Sequence, residues 1–161
     1  MVFETYTPLF HEIFLQVNNA KDKSKKIAIL RKYKTKSLEQ FLKAAFDPKI
    51  EWLIPEGDVP YMPNDAPDGT EHTRLEREVR QIANFVVLHR SSGPNVEGNP
   101  NINKMRREMM FIQVLEGLSS GEAECLIMAK EGTLGKKYKG LTASAVREAF
   151  KWNATYSGYV S

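Results

Sequence analysis

Gly132-Thr-Leu-Gly135-Lys136-Lys137 places two glycines beside two lysines. That is the raw material of a phosphate loop, since glycine lets the backbone approach a ligand and the ammonium groups supply charge. The nucleotide-hydrolysing version needs four residues between its glycines and a Ser or Thr after the lysine, and neither requirement is met. The Gly-x-x-Gly clamp of KH domains needs a three-stranded sheet, for which no alternating segment is present. The simpler expectation is a solvated basic turn whose glycines terminate helices. His11, His72 and His89 are isolated, with no pair at metal-ligand spacing, so neither a metal nor a cofactor is expected. His72 beside Glu71 could serve as an acid/base pair, but adjacent helical positions point apart. Cys125 is the single cysteine and lies beside the apolar Ala123, Leu126 and Ile127, which reads as a packed thiol rather than a nucleophile. Glu51, Glu56, Asp58, Asp65 and Asp68 lack calcium-loop spacing and fall in a proline-rich stretch. No nucleophile, base and oxyanion donor can be named together, and a non-enzymatic protein is the expectation.

Charge is unevenly spread. Residues 21–43 carry nine Lys/Arg against Asp22 and Glu39, while residues 44–73 carry Lys49 against seven acids. Clustered cations are the electrostatic footprint of nucleic-acid binding, because each neutralised phosphate releases counterions. Lys25, Lys26, Arg31 and Lys32, with Lys136, Lys137 and Lys139, are the candidate contacts to DNA or RNA. An ordinary solvated basic face is the alternative, and the acidic stretch could neutralise one cluster from within. That stretch also holds Trp52, Leu53, Ile54, Tyr61 and Met62, which a solvated linker does not need. It is expected to lie extended across the helices with Trp52 and Tyr61 anchored, or else to dock on a partner. Trp52, Tyr61, Arg106 and Tyr138 are the candidate partner-binding residues.

These residues must be positioned by helices. Thr7-Pro8 reads as a cap and first helical position ahead of Leu9, Phe10, Ile13, Phe14 and Val17. A second helix is expected over 23–33, and a third over Leu38, Phe41, Leu42, Ala45 and Phe46 until Asp47-Pro48. Thr73 with Glu76 predicts a capping box and a helix with the stripe Leu75, Val79, Ile82, Ala83 and Val86. Residues 91–100 read as a loop. Residues 101–118 predict a helix that Met105, Met109, Met110, Phe111, Ile112, Val114, Leu115 and Leu118 cover nearly all round, hence a buried one with Lys104, Arg106 and Arg107 at its wet end. Ser119 with Glu122 opens the next helix, ending near Gly132, and Thr142 caps the last, continuing through Trp152. The expected fold is therefore all-α, an irregular bundle of about seven short helices with an extended proline-rich segment packed across it. The chain divides into N-terminal helices (1–47), the acidic linker (48–70), a C-terminal helical core (71–152) and a tail (153–161), together read as one compact unit.

The chain has 161 residues, 42% hydrophobic and 27% charged, with formal net charge +3. Those values suit a folded globular protein and exclude a disulfide-stapled mini-protein. No run is long and apolar enough to span a bilayer. The first residues lack a basic region and a long apolar core, so no secretory signal is expected.

Phe46-Asp-Pro-Lys-Ile-Glu-Trp52, Pro55-Glu-Gly with Pro60-Tyr61, Arg106 through Gly117, and Lys137-Tyr-Lys-Gly-Leu-Thr-Ala143 with Glu148-Ala-Phe150 resemble a family of small, functionally unassigned proteins of T4-like tailed bacteriophages. The likeness covers most of the chain after about residue 20, and no catalytic or binding residue transfers from it. It implies a phage gene product made in the cytoplasm of an infected bacterium. The leading expectation is a phage accessory protein acting through protein–protein interaction. A nucleic-acid-associated replication or transcription factor and a minor virion component are the alternatives.

Overall fold

The computed structural model describes residues 8–47, 49–57, 59–63, 73–89, 96–97 and 101–151. Thr7, Asp58, Asp65, Asp68, the Glu71–His72 pair, Trp152 and the tail 153–161 lie outside the described residues, as does most of the 91–100 loop.

Three helices open the chain: α1 (Phe10–Asn19), α2 (Lys23–Lys32) and α3 (Lys36–Phe46). Asp22 accepts from the Lys25 amide and Thr35 from the Leu38 amide, each satisfying an orphan donor of a first helical turn. At α1 the expected Thr7-Pro8 start is displaced: Leu9 is the N-cap, and its amide donates to the Glu12 carboxylate at 2.8 Å. α1 buries Phe10, Ile13, Phe14 and Val17, and α3 buries Leu38, Phe41, Leu42 and Ala44. Phe14 and Phe41 stack with centroids 5.8 Å apart, and Phe10 and Tyr138 tilt against them. Burying each such ring is worth roughly 2–3 kcal/mol.

The chain closes with α5 (Lys104–Gly117), α6 (Ser120–Glu131), α7 (Leu134–Lys137) and α8 (Ala143–Phe150). Asn103, Ser119 and Thr142 cap α5, α6 and α8 through their side chains. Gly132 ends α6 at φ 71°, a left-handed position that glycine occupies without strain. Gly135 is not a terminator as expected. It sits within α7, where a Cβ would lie 3.3 Å from the Leu141 carbonyl oxygen.

Two expectations for the middle of the chain are corrected. Thr73 and Glu76 do not form a capping box: α4 (Leu75–Glu78) has Arg74 as N-cap, while the Thr73 hydroxyl donates to Glu78 at 2.9 Å. The helical stripe also stops short of Val86. A 3₁₀ helix runs over Val79–Asn84, where buried Val79 and Ile82 are spaced by three as that geometry requires. The buried Arg107 guanidinium donates to the Asn84 and Ile102 carbonyls (3.0 and 3.2 Å), so the helix ends on a charged cap. Val86–Leu88 then forms β2, paired antiparallel with β1 (Ile50–Trp52) and β3 (Val96–Glu97) in the order β1-β2-β3. Ile50 faces Leu88, Trp52 faces Val86 and Leu88 faces Val96. Strands of two or three residues leave the class all-α.

The described residues 53–57 and 59–63 cross the helices as an extended strap, part of the expected segment 48–70. Trp52 Nε1 donates to the Ala44 carbonyl at 3.0 Å and its ring stands edge-on to Phe111, while Ile54 is buried and Tyr61 half-buried against the core. Lys130, its ammonium buried, donates to the Pro55 and Gly57 carbonyls (2.9 and 3.2 Å) and pairs with Glu131 at 2.8 Å. Glu131 in turn accepts from the Gly57 amide at 2.7 Å. Buried residues from Phe10 to Phe150 form one continuous cluster, which includes Ile54 of the strap.

Candidate functional site

Buried ionisable groups are the first place to look for chemistry. Glu122 is fully buried, and its carboxylate accepts from the amides of Phe10 (2.9 Å) and Leu75 (2.8 Å), the first residues of α1 and α4. Its own amide donates to Ser119 Oγ at 3.3 Å, so one residue ties the N-termini of three helices. Burial pushes its carboxyl above the usual range, opposed by those two amides and by His11 and Arg74. With both oxygens engaged inside the core, this carboxylate is a tie and not a general base. Burial also pushes the Cys125 thiol up to about 12, leaving it protonated at neutral pH and unsuited to attack. Among the described residues no group of three His, Cys, Asp or Glu side chains could hold a metal ion.

Three of the four partner-binding candidates hold the fold. Tyr138 is 6% exposed and stands edge-on to Phe14, with its hydroxyl 3.9 Å from Cys125 Sγ. Its ring is therefore closed to a partner. Trp52 and Tyr61 anchor the strap. Arg106 alone is exposed, on the outer side of α5.

α5 itself overturns the expectation of a helix buried all round. Only Arg107, Phe111 and Leu115 are buried, a single narrow stripe at four-residue spacing. Met105 and Met109 are 73% and 57% exposed, one turn apart on the outer face. Met62 of the strap is 75% exposed, and its amide donates at 2.8 Å to Glu116, which lies seven residues beyond Met109 and so on the same side of the helix. A cavity of about 370 Å³ runs along this side, lined by Asn103, Met105, Arg106, Met109, Met110 and Gln113. A second, of about 280 Å³, shares Met110 and Gln113 and continues to Thr73, Glu78 and Gln81. Both are open; the first is floored by methionines, and the second is mostly polar. The signal for this was present in the chain: Met105 lies between Lys104 and Arg106, and charges on several sides cannot all be buried.

The nucleic-acid candidates divide. Lys26 donates to the Val17 and Ala20 carbonyls at the C-terminal end of α1. Arg31 donates to the Glu148 and Ala149 carbonyls, both at 3.1 Å, at the end of α8. Lys137 pairs with Glu124 at 2.8 Å. Lys25, Lys32, Lys136 and Lys139 remain exposed.

The architecture defines a small all-α protein whose exposed chemistry lies on two helix-borne surfaces, one rich in methionine and one in lysine. The model of a family of unknown function, DUF6433, matches residues 13–136, about three quarters of the chain, and the protein belongs to that family. The matched span contains α2 and the whole of α5. No curated protein and no solved structure matches the chain.

Proposed function

We propose that this protein is a non-enzymatic accessory protein of a T4-like tailed bacteriophage. It acts in the cytoplasm of the infected cell by binding another protein along the outer groove of α5. The phage assignment rests on the resemblance of the segments around Trp52, Arg106–Gly117 and Lys137–Ala143.

The observation that carries the binding reading is the pair Met105 and Met109 on the outer face of α5, with Met62 beside the end of that helix; these are three of the four exposed large hydrophobics among the described residues. Isolated apolar side chains on a surface need no explanation, but two adjacent ones that line a groove with polar ends mark an interaction site. Methionine adapts its three torsions to the partner's shape. The groove suits an amphipathic helix presenting apolar residues at i, i+3 or i+4 spacing, with a carboxylate for Arg106.

Site-specific photo-crosslinking during infection tests this. A crosslinker in place of Met109 should capture one discrete protein, and Arg106→Glu should abolish the adduct. A crosslinker in place of Leu15, exposed on α1, should not capture it. Equal adducts at both positions, or none at Met109, would sink the reading. Recovery of the protein in purified particles by mass spectrometry, crosslinked to a structural protein, would replace it with the virion-component alternative.

A further inference from the structure

The basic clusters around residues 21–32 and 136–139 are more than a hundred positions apart in sequence, yet the fold brings them together. The Gly140 amide donates to Asn18 Oδ1 at 3.0 Å, which presses the α7–α8 turn onto the end of α1. A Cβ at Gly140 would lie 2.7 Å from Lys26 Nζ and 3.1 Å from Asn18 Cα, so any side chain here would displace the Lys26 ammonium and push the turn slightly off α1. Lys26 uses its charge on the carbonyls of α1 and so fastens the α1–α2 turn beneath Gly140. Around this junction Lys21, Lys25, Lys136 and Lys139 are exposed, and none has an ion pair with a described residue. Of the described acids nearby, Asp22 caps α2 by accepting from the Lys25 amide at 2.8 Å, Glu124 is paired with Lys137, and Glu148 lies 3.4 Å from Lys23. Lys25 and Lys32, two turns apart on α2, share a side and extend the face by about 10 Å. The described residues of the strap are held by Lys130, Glu131 and Glu116 on α5 and α6, whereas α2 packs on α1 and α8.

We infer that this joined face, the α1–α2 turn with α2 and the α7–α8 turn, binds duplex DNA through its phosphates without reading sequence. Lysine ammoniums act as point charges on a phosphate backbone, and this term alone supports sequence-independent binding. Single-stranded recognition relies on aromatic platforms for the bases. No described aromatic residue is exposed here: Tyr33 is half-buried beneath Lys32, and Tyr138 is in the core. The duplex is therefore the favoured form. This inference uses a different surface from the α5 groove and stands or falls separately.

Fluorescence anisotropy with a random duplex of about two helical turns tests it. Four phosphates neutralised by Lys21, Lys25, Lys136 and Lys139 give a log–log salt slope of about −3.6, a weakening of roughly a hundredfold between about 50 and 200 mM salt. The double variant Lys25→Glu/Lys139→Glu should weaken binding more than tenfold at low salt with an unchanged circular dichroism spectrum. The neutral pair Lys25→Gln/Lys139→Gln should lower the slope by about 2. Lys104→Glu, on α5, should leave binding within twofold. Equal losses from Lys104→Glu and from the double variant would overturn the location. Tighter binding to single strands or to duplex RNA would overturn the duplex-DNA assignment, and binding no stronger than that of a folded control of similar pI would overturn the inference altogether.

Discussion

α2 and α5 are both peripheral helices that bury a single side, α2 through Leu30 and α5 through Arg107, Phe111 and Leu115. What they expose differs. α2 presents lysines around the junction with the α7–α8 turn, whereas α5 presents methionines above an open groove. In both, a cation inside the helix works for the fold. Lys26 and Arg31 close the C-terminal carbonyls of α1 and α8, and Arg107 closes the 3₁₀ helix at Asn84. Hydrogen bonds from charged donors to otherwise orphaned carbonyls are among the stronger ones available. A count of basic residues therefore overstates the binding surface, because it includes those already used to end helices.

The two surfaces share one support, and removing it is expected to have the largest effect. Glu122 holds the first turn of α1, which leads into α2, and the first turn of α4, beside the α5 groove. Glu122→Ala leaves two buried amides without an acceptor and opens a cavity, a loss of about 3–5 kcal/mol by chemical denaturation. DNA binding and the Met109 crosslink should both fall with it; loss of one alone would show that the surfaces are supported separately. Its pH dependence has a definite sign. The folded carboxyl is raised above its ordinary value of 4.5, so the native state holds the proton more readily than the unfolded chain in the window just above that value. The stability this contributes is present below pH 4.5 and lost as pH rises through the folded pKa. The stability advantage of wild type over Glu122→Gln should therefore shrink as pH rises from 4.5 towards neutrality, as followed by urea unfolding. A constant difference would show that the carboxyl does not change its protonation in this window.

A smaller effect, confined to one surface, is expected at the strap. Lys130→Met removes the donor shared by the Pro55 and Gly57 carbonyls, at a cost of about 2–3 kcal/mol. The strap carries Met62 to the end of α5, so its release should accelerate proteolysis within 53–63 and weaken the crosslink at Met109. DNA binding on the α2 face should be unchanged. A variant that loses DNA binding in proportion would contradict the separation of the strap from the basic face.

Local patterns were legible in the chain, and long-range partnerships were not. The i, i+3, i+4, i+7, i+8 spacing of Leu38, Phe41, Leu42, Ala45 and Phe46 declares α3, and Ser119 and Thr142 sit close in sequence to the amides they cap. The partners of Glu122 are 112 and 47 positions away, and no periodicity encodes them. Val86 read as helix because it continues the stripe, whereas the conformation of Val86–Leu88 is decided by pairing with β1 and by Arg107 at Asn84. At α5 the density of apolar residues suggested burial on every side, and the charged neighbours of Met105 were the better guide. Arg106 is a partner-binding candidate from the sequence and is exposed, whereas the exposure of Met105 and Met109 beside it was not read. The basic clusters were visible as composition, yet their meeting at Gly140 depends on a contact between residues 18 and 140.

The smallest expected effect separates two neighbouring cations of α2 by the work each does. Arg31 reaches the Glu148 and Ala149 carbonyls and closes α8, while Lys25 extends into solvent from the opposite end of the helix. Arg31→Gln should cost about 1 kcal/mol, the scale of a partly exposed charged hydrogen bond. Lys25→Gln should leave stability within about 0.5 kcal/mol of wild type, as surface changes away from specific contacts do. In DNA binding the order reverses: Lys25→Gln should lower the salt slope by about 1, and Arg31→Gln by clearly less, because its guanidinium is committed to backbone carbonyls. Denaturant midpoints and salt titrations on the same two proteins read both quantities. If Arg31→Gln lowered the slope as much as Lys25→Gln without loss of stability, the helix-closing contact would contribute nothing in solution. The basic face would then extend across α2 to α8, bringing the cavity bordered by Lys23, Ile27, Arg31 and Glu148 into the binding surface.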